Sequence, residues 1–499
     1  MPIEVAADQD LQRTLPELSD MLSTGELTSV ALVAGYLDRI ERLDRSGPTL
    51  RAVLTINPDA MAQAEASDAR RKADRSLGPL DGVPVLIKDN IETLDPMPTT
   101  AGSTALKDNV TGRDSPLAAG LRAQGAVILG KTNLSQWANI RSSNSSSGWS
   151  SLGGQVRNPH VLDRNPCGSS SGSGAAIAAS LAAGAVGTET NGSIICPSNV
   201  NGIVGFKPTV GVISQDLIVP ISFSQDTAGP MTKTVRGAAL MMNAMAAGEA
   251  KQDYVAALDE DSLAGKRIGV ARFSQSENAD LIARFDAALA VLEAEGAELV
   301  EIESFDINDA VFWPNSLGVL LYELKATLND YLASTLDVVE TRTLADLIAF
   351  NQAEADVELA LFDQDLFEQA EALGSLDDAA YTAALSMVQA ATRENGIDLL
   401  LAENDVVALV SPSGPISPQH DPAQGDQWPD WAGIGHLAAI AGYPHVTVPN
   451  GTVNHVPLGF SIIGAKGQDA EILSLGYAFE QAGGVRVEPA FRETVSSSD

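Results

Sequence analysis

Between Ser142 and Gly205 the chain is built mostly from Gly, Ser, Ala and Asn, with few charges. No other stretch limits the possible folds so strongly. A flexible linker would share this bias. A linker has no use, however, for Trp149, for the small-residue run Ala175–Ala185, or for apolar Val186, Ile194, Ile195 and Val204. The segment therefore reads as helix and strand backbones packed very close together, with turns at positions that need positive φ.

Larger elements must wrap such a segment. Val30, Val33, Leu37 and Ile40 recur at helical spacing, predicting a helix near Ser29–Leu43 capped by Thr28 or Ser29 and stopped at Gly47-Pro48. A polar helix follows over about Ala60–Arg75. Val83–Ile87 and Ala126–Leu129 are short apolar runs that read as buried strands, with a helix at Pro116–Gln124 between them. Beyond Gly248 the pattern is strand (Arg267–Phe273), helix (Asp280–Glu295), strand (Glu298–Glu303), then helices from Asn315 to about Glu403. Val406–Ser411, His445–Pro449 and Leu458–Ile463 read as further strands, and a helix at about Asp469–Gln481 closes the chain. Alternation of this kind argues an α/β sheet covered by helices. Length alone would suggest about three domains, but no linker or repeat divides residues 1–499, so one large domain is the simplest reading.

Lys and Arg number 31 against 65 Asp and Glu, a net charge of −34. Such a surface repels nucleic acid and anionic membranes. No run of ~18 apolar residues offers a membrane span. Met1–Asp8 lacks the basic and apolar regions of a secretion signal. The two cysteines, Cys167 and Cys196, make no disulfide framework; they predict a reducing, cytoplasmic setting, with Cys196 a small packed hydrophobe.

Three stretches carry chemistry. Pro84-Val-Leu-Ile-Lys88 puts a lysine at the end of an apolar strand, where burial would lower its pKa unless it snorkels out or pairs with Asp89. Cys167-Gly-Ser169-Ser170-Ser-Gly-Ser-Gly opens a small-residue helix. Gly187-Thr-Glu-Thr190-Asn191-Gly192-Ser193 is a strand running into a turn, and successive N–H groups of that turn can converge on a developing oxyanion beside the Ser193 hydroxyl. A serine nucleophile needs a base. None of the five histidines, at 160, 420, 436, 445 and 455, lies in the three stretches themselves. A neutral lysine is the available alternative.

Two other patterns compete. Gly125-Ala-Val-Ile-Leu-Gly130-Lys131-Thr132 satisfies the phosphate-loop spacing, but its variable residues are themselves an apolar strand. Gly168-Ser-Ser170-Ser-Gly172 satisfies a nucleophile-elbow spacing that would recruit His436 or His445. That reading leaves Lys88 and the Ser193 turn unexplained.

Taken together, Lys88, the Gly-Ser-Ser-Ser-Gly loop and the Thr-Asn-Gly-Ser turn resemble the core of the amidase-signature family. So do the 24-residue spacing of Ser169 and Ser193, Gly205–Thr209, Ser224–Pro230, Ala441–Pro444 and Pro457–Gly459. Gly130–Asn139, Ser147–Ser150 and Leu344–Gln352 are similar to bacterial peptide amidases, which deamidate C-terminal peptide amides.

The resemblance implies a large, mostly mixed sheet flanked by helices on both faces, with a signature core at about 80–235 and a helical substrate-capping region at about 315–403. It implies cleavage of a carboxamide to carboxylate and ammonia through an acyl-Ser193 intermediate, with no metal or organic cofactor. Ser193 attacks; Ser169, held by a cis peptide, relays the proton; neutral Lys88 is the final base. The N–H groups of Thr190, Asn191, Gly192 and Ser193 form the oxyanion hole, while Ser170 and Asp226 support the site. Asn191 departs from the Gly of many members and the Asp of peptide amidases, a change that bears on substrate preference. Trp137, Trp149 and Phe223 are candidates for the substrate groove or, equally, ordinary core. The alternative readings are an amidase of small aliphatic or aryl amides, one component of a glutamine-dependent aminoacyl-tRNA amidotransferase, and an inactive binding protein.

Overall fold

The computed structural model describes residues 5–495; the reading of Met1–Asp8 thus falls partly outside the described residues. In chain order the strands are β1 (Val53–Ile56), β2 (Pro84–Lys88), β3 (Val127–Thr132), β4 (Trp149–Ser150), β5 (Gly154–Gln155), β6 (Gly184–Glu189) and β7 (Val204–Lys207). They continue with β8 (Thr227–Thr232), β9 (Arg267–Ala271), β10 (Glu298–Ile302), β11 (Ala408–Pro412), β12 (His445–Val453) and β13 (Val456–Ile463). Eleven form one sheet in the order β1-β3-β2-β6-β8-β7-β12-β13-β11-β9-β10, while β4 and β5 make a separate small hairpin. The pairs β3–β2, β2–β6, β11–β9 and β9–β10 are parallel and the rest antiparallel, so the sheet is mixed.

Every residue of β2, β3, β6 and β8 is buried, as expected where helices cover both faces. The parallel register sets Lys88 opposite Thr132, and Ile87 beside Val186 of β6. Lys88 and Thr188 thereby meet at the carboxyl ends of two neighbouring parallel strands, where open α/β sheets place their sites.

The small-residue block folds as its composition requires. Its helix (Ser171–Ala178) and the helix after Ser193 (Ile195–Asn201) are buried along their whole length and pack on each other. A Cβ on Gly172 would lie 2.3 Å from the carbonyl oxygens of Ala52 and Asn133, so only glycine fits.

The packing of these two helices also corrects the cysteine reading. Cys167 precedes the first of these helices and Cys196 lies in the second. Their Cα atoms are 5.9 Å apart and their sulfurs are bonded. Cys196 is therefore not a free packed thiol. A 29-residue separation gives no sign of the pairing, which depends on two helices meeting at Gly174, where a Cβ would lie 3.0 Å from the Pro197 carbonyl oxygen.

The helical region begins at Asp309, earlier than predicted, because Pro314 sits inside the first helix (Asp309–Ala333) without ending it. Helices Leu344–Ala353, Asp365–Ala372 and Ala379–Thr392 follow. Fully buried Arg141 ties this region to the core: it donates to the carbonyls of Glu358 and Phe362 and stacks 4.2 Å from the Phe362 ring centre.

Candidate active site

Lys88 is completely buried at the end of β2. Its Nζ donates to Ser169 Oγ at 2.7 Å and to Thr188 Oγ1 at 2.8 Å, and it lies 3.3 Å from the Thr188 carbonyl. Among the described residues no carboxylate bonds to it. Burial pushes its pKa down to about 7, opposed only by the more distant charges of Asp226 and Glu189. Asp89 turns away, as a neutral Lys88 requires: its Oδ2 accepts from Thr100 and its Oδ1 lies 3.8 Å from Lys131 Nζ. Thr188 is a residue that sequence reasoning misses. As one of several hydroxyls in a polar run it carries no signal, yet it supplies two of the three lysine contacts, and Asn90 orients its hydroxyl from 3.0 Å.

Ser169 follows a cis peptide bond to Gly168 and is fully buried. Ser170 Oγ donates to the Thr188 carbonyl and accepts from the Thr188 N–H, so this hydroxyl is committed to the framework. Ser193 is 9% exposed, open enough for a ligand to reach. Its carbonyl accepts from Ser170 N–H at 3.2 Å, which joins the two serine-bearing segments through backbone. The hydroxyls of Ser169 and Ser193 belong to these adjoining segments without a direct hydrogen bond between them.

The turn at 190–193 presents unpaired backbone donors. The N–H groups of Asn191, Gly192 and Ser193 have no acceptor among the described residues. Gly192 takes φ +85°, and a Cβ there would meet nothing within 4 Å. The turn is braced from both ends. Thr190 Oγ1 donates to Asp226 Oδ1 at 2.5 Å, while Asp226 Oδ2 accepts from Ile221 and Ser222 N–H. Burial raises the Asp226 pKa to about 6. Glu189, which also carries no sequence signal, accepts from the N–H groups of Ile194 and Ile195 at 2.8 and 3.0 Å. It fixes the start of the helix directly behind Ser193.

Strand alternation sends Thr188 and Thr190 to one side and Glu189 and Asn191 to the other. A cavity lies on each side. One, of about 330 Å³, is lined by Thr188, Thr190, Phe223, Asp226 and Tyr331. The other, of about 410 Å³, is lined by Asn191, Gly192, Trp313, Trp428, Trp431 and the Cys167–Cys196 bond. Of the three groove candidates, Phe223 alone lines one of these two cavities. Trp137 packs edge-on to Phe367 and Trp149 to Phe362, joining the helical region to the core. The aromatic walls come instead from tryptophans far along the chain, whose convergence only the fold reveals.

The competing motifs dissolve. Lys131 is buried within β3, with its amine on Thr99, and cannot cradle phosphate. His445 bonds Ser461 and His436 stacks on Trp313; neither contacts Ser170. Among the described residues no group of three or more His, Cys, Asp or Glu is arranged to hold a metal ion, and no helix is long and apolar enough to cross a membrane.

The fold and the lysine–serine cluster place the chain among the amide hydrolases. A sequence model of the Amidase family matches residues 31–473. The native peptide amidase of Stenotrophomonas maltophilia, a solved structure, is 42% identical, with 96% of this chain and 98% of that one covered and a TM-score of 0.89. A probable amidase of Arabidopsis thaliana is 36% identical over 96% of this chain and 92% of its own length. A putative amidase of Schizosaccharomyces pombe is 33% identical, with 97% of this chain and 88% of that one covered. The chain belongs to the amidase family.

Proposed function

We propose that this amidase removes ammonia from C-terminal carboxamides of peptides, with Ser193 as nucleophile, Ser169 as proton relay and Lys88 as base. The 2.7 Å contact between a carboxylate-free, buried lysine and Ser169 carries the reading. A lysine near neutrality can accept a proton through Ser169 as Ser193 Oγ bonds to the amide carbon. The carbonyl oxygen, now negative, is held by the free N–H groups of the 190–193 turn. The proton returns to the departing amine, and water then frees the acyl group from Ser193.

The tryptophan-walled cavity is the proposed acyl groove. It contains Glu189 and Asp426 but no Lys or Arg. A neutral carboxamide terminus suits it better than a free carboxylate, which would want a cation. Thr327, Asp330, Tyr331 and Ser334 reach the opposite cavity from the helical region, which supports a capping, specificity-setting role for that region within a single functional unit. The cytoplasmic expectation rests in part on unpaired cysteines; the Cys167–Cys196 bond removes that part and favours an oxidising compartment.

The test is an ammonia-release screen over peptide amides, glutamine, and aliphatic and aryl amides, with wild type, Ser193→Ala and Lys88→Ala. Peptide amides should turn over fastest, and both variants should lose turnover by roughly a thousandfold or more. Turnover of simple amides alone would overturn the peptide assignment and leave the amidase one standing.

A further inference from the structure

The mechanism needs Ser169 and Ser193 held at a fixed separation, yet they lie in different segments 24 residues apart. Hydrogen bonds join those segments, including the Ser170–Thr188 pair already described. One is the Ser170 N–H to Ser193 carbonyl bond of 3.2 Å. Another is Asn201, whose Nδ2 donates to the carbonyls of Pro166 and Pro197 at 3.1 and 2.8 Å. A further tie is covalent. Cys167 is two residues before Ser169, and Cys196 is three after Ser193. Together with the Ser170–Ser193 backbone bond, the bridge closes a small ring that holds both serines, backed by Val200 and Trp428.

We propose that the Cys167–Cys196 bond is a positioning element of the active site, a covalent clamp that sets the spacing of the Ser169–Ser193 pair and makes turnover sensitive to thiol reductants. Both sulfur-bearing residues line the tryptophan-walled cavity, so a small reductant can reach the bond through the substrate's own entrance. Two-electron reduction by a dithiol breaks the S–S bond. The reductant's thiols become a cyclic disulfide, and their two protons end on the sulfurs of Cys167 and Cys196. Freed from the clamp, the nucleophile turn keeps its braces at Asp226 and Glu189 and its hydrogen-bonded ties to the Ser169 segment, but loses the one covalent tie that fixes its distance to Ser169. The loss then falls on acylation rather than on substrate binding. This inference rests on the Ser193–Ser169–Lys88 reading.

The test compares oxidised wild type with enzyme treated with dithiothreitol, reduction being verified as two titratable thiols per chain after denaturation. Reduced enzyme should show roughly a tenfold or greater loss of kcat for a peptide amide, KM within about twofold, unchanged far-ultraviolet circular dichroism, and recovery on reoxidation. Cys167→Ala/Cys196→Ala should match the reduced enzyme and ignore dithiothreitol. The labelling rate of Ser193 by a fluorophosphonate should fall in parallel. Labelling needs no amide, so it still reads the clamp if the substrate assignment fails. Full kcat and labelling with two free thiols would overturn the proposal, as would two thiols in enzyme never exposed to reductant. If the double variant fails to fold, the reduced wild type decides.

Discussion

If Lys88 is the base, acylation of Ser193 should follow the neutral fraction of that one amine. An ordinary lysine, with a pKa near 10.4, is only ~0.04% neutral at pH 7. Burial brings Lys88 to about 7, so about half is neutral there, a gain of roughly a thousandfold in competent enzyme. The sign follows: the protonated form is inactive, so the rate rises with pH, passes half-maximum near 7 and levels off by about 9. At pH 5 roughly 1% is neutral, and acylation should fall to about one-fiftieth of its value at pH 7. The assay is the single-turnover rate of fluorophosphonate labelling, which isolates attack by Ser193 from later steps. Asp226, raised to about 6, titrates in the same window and must be separated. Its charge favours the lysine ammonium. Asp226→Asn should therefore move the midpoint downward, not upward. A midpoint near that of an ordinary lysine, or a rate that declines as pH rises, would refute the neutral-lysine mechanism.

Three substitutions and the loss of the disulfide probe the surrounding contacts. Glu189→Ala leaves the Ile194 and Ile195 N–H groups without their acceptor and should lower kcat about a hundredfold with little change in KM, measured by steady-state ammonia release. Gly192→Ala has room for its methyl but must hold φ +85° at a cost of about 1–2 kcal/mol; roughly a tenfold or greater loss of kcat is expected, and wild-type turnover would contradict the turn's role. Ser170→Ala should keep kcat within about tenfold while lowering the melting temperature, because it strands the buried Thr188 N–H at about 1–3 kcal/mol; abolished turnover would revive the elbow reading. Removing the Cys167–Cys196 bridge, whose partners are 29 residues apart, should cost about 3–4 kcal/mol, read as earlier thermal unfolding.

Much of the site is legible without the structure because its chemistry is local in sequence. A lysine ending an apolar strand, a Ser/Gly loop opening a helix and a turn after a strand each announce themselves within a short stretch. Buried strands such as β3 and β13 show as apolar runs. Strand β8, Thr227–Thr232, does not, since Gly229 and Pro230 run against strand preference and hold their places only through sheet neighbours. The same limit hides Thr188, Glu189, the tryptophan walls and the disulfide. Each acts through a partner brought near by sheet order or by two helices closing over glycine, and local pattern carries no trace of such meetings.

The most direct measurement is rapid quenching of wild-type enzyme with a peptide amide, followed by mass spectrometry of the proteolysed chain. If Ser193 is the nucleophile, an added acyl mass should appear on the fragment bearing it, together with ammonia, and be absent in Ser193→Ala. An adduct on the Ser169–Ser171 fragment, or undiminished ammonia release from Ser193→Ala, would contradict that assignment.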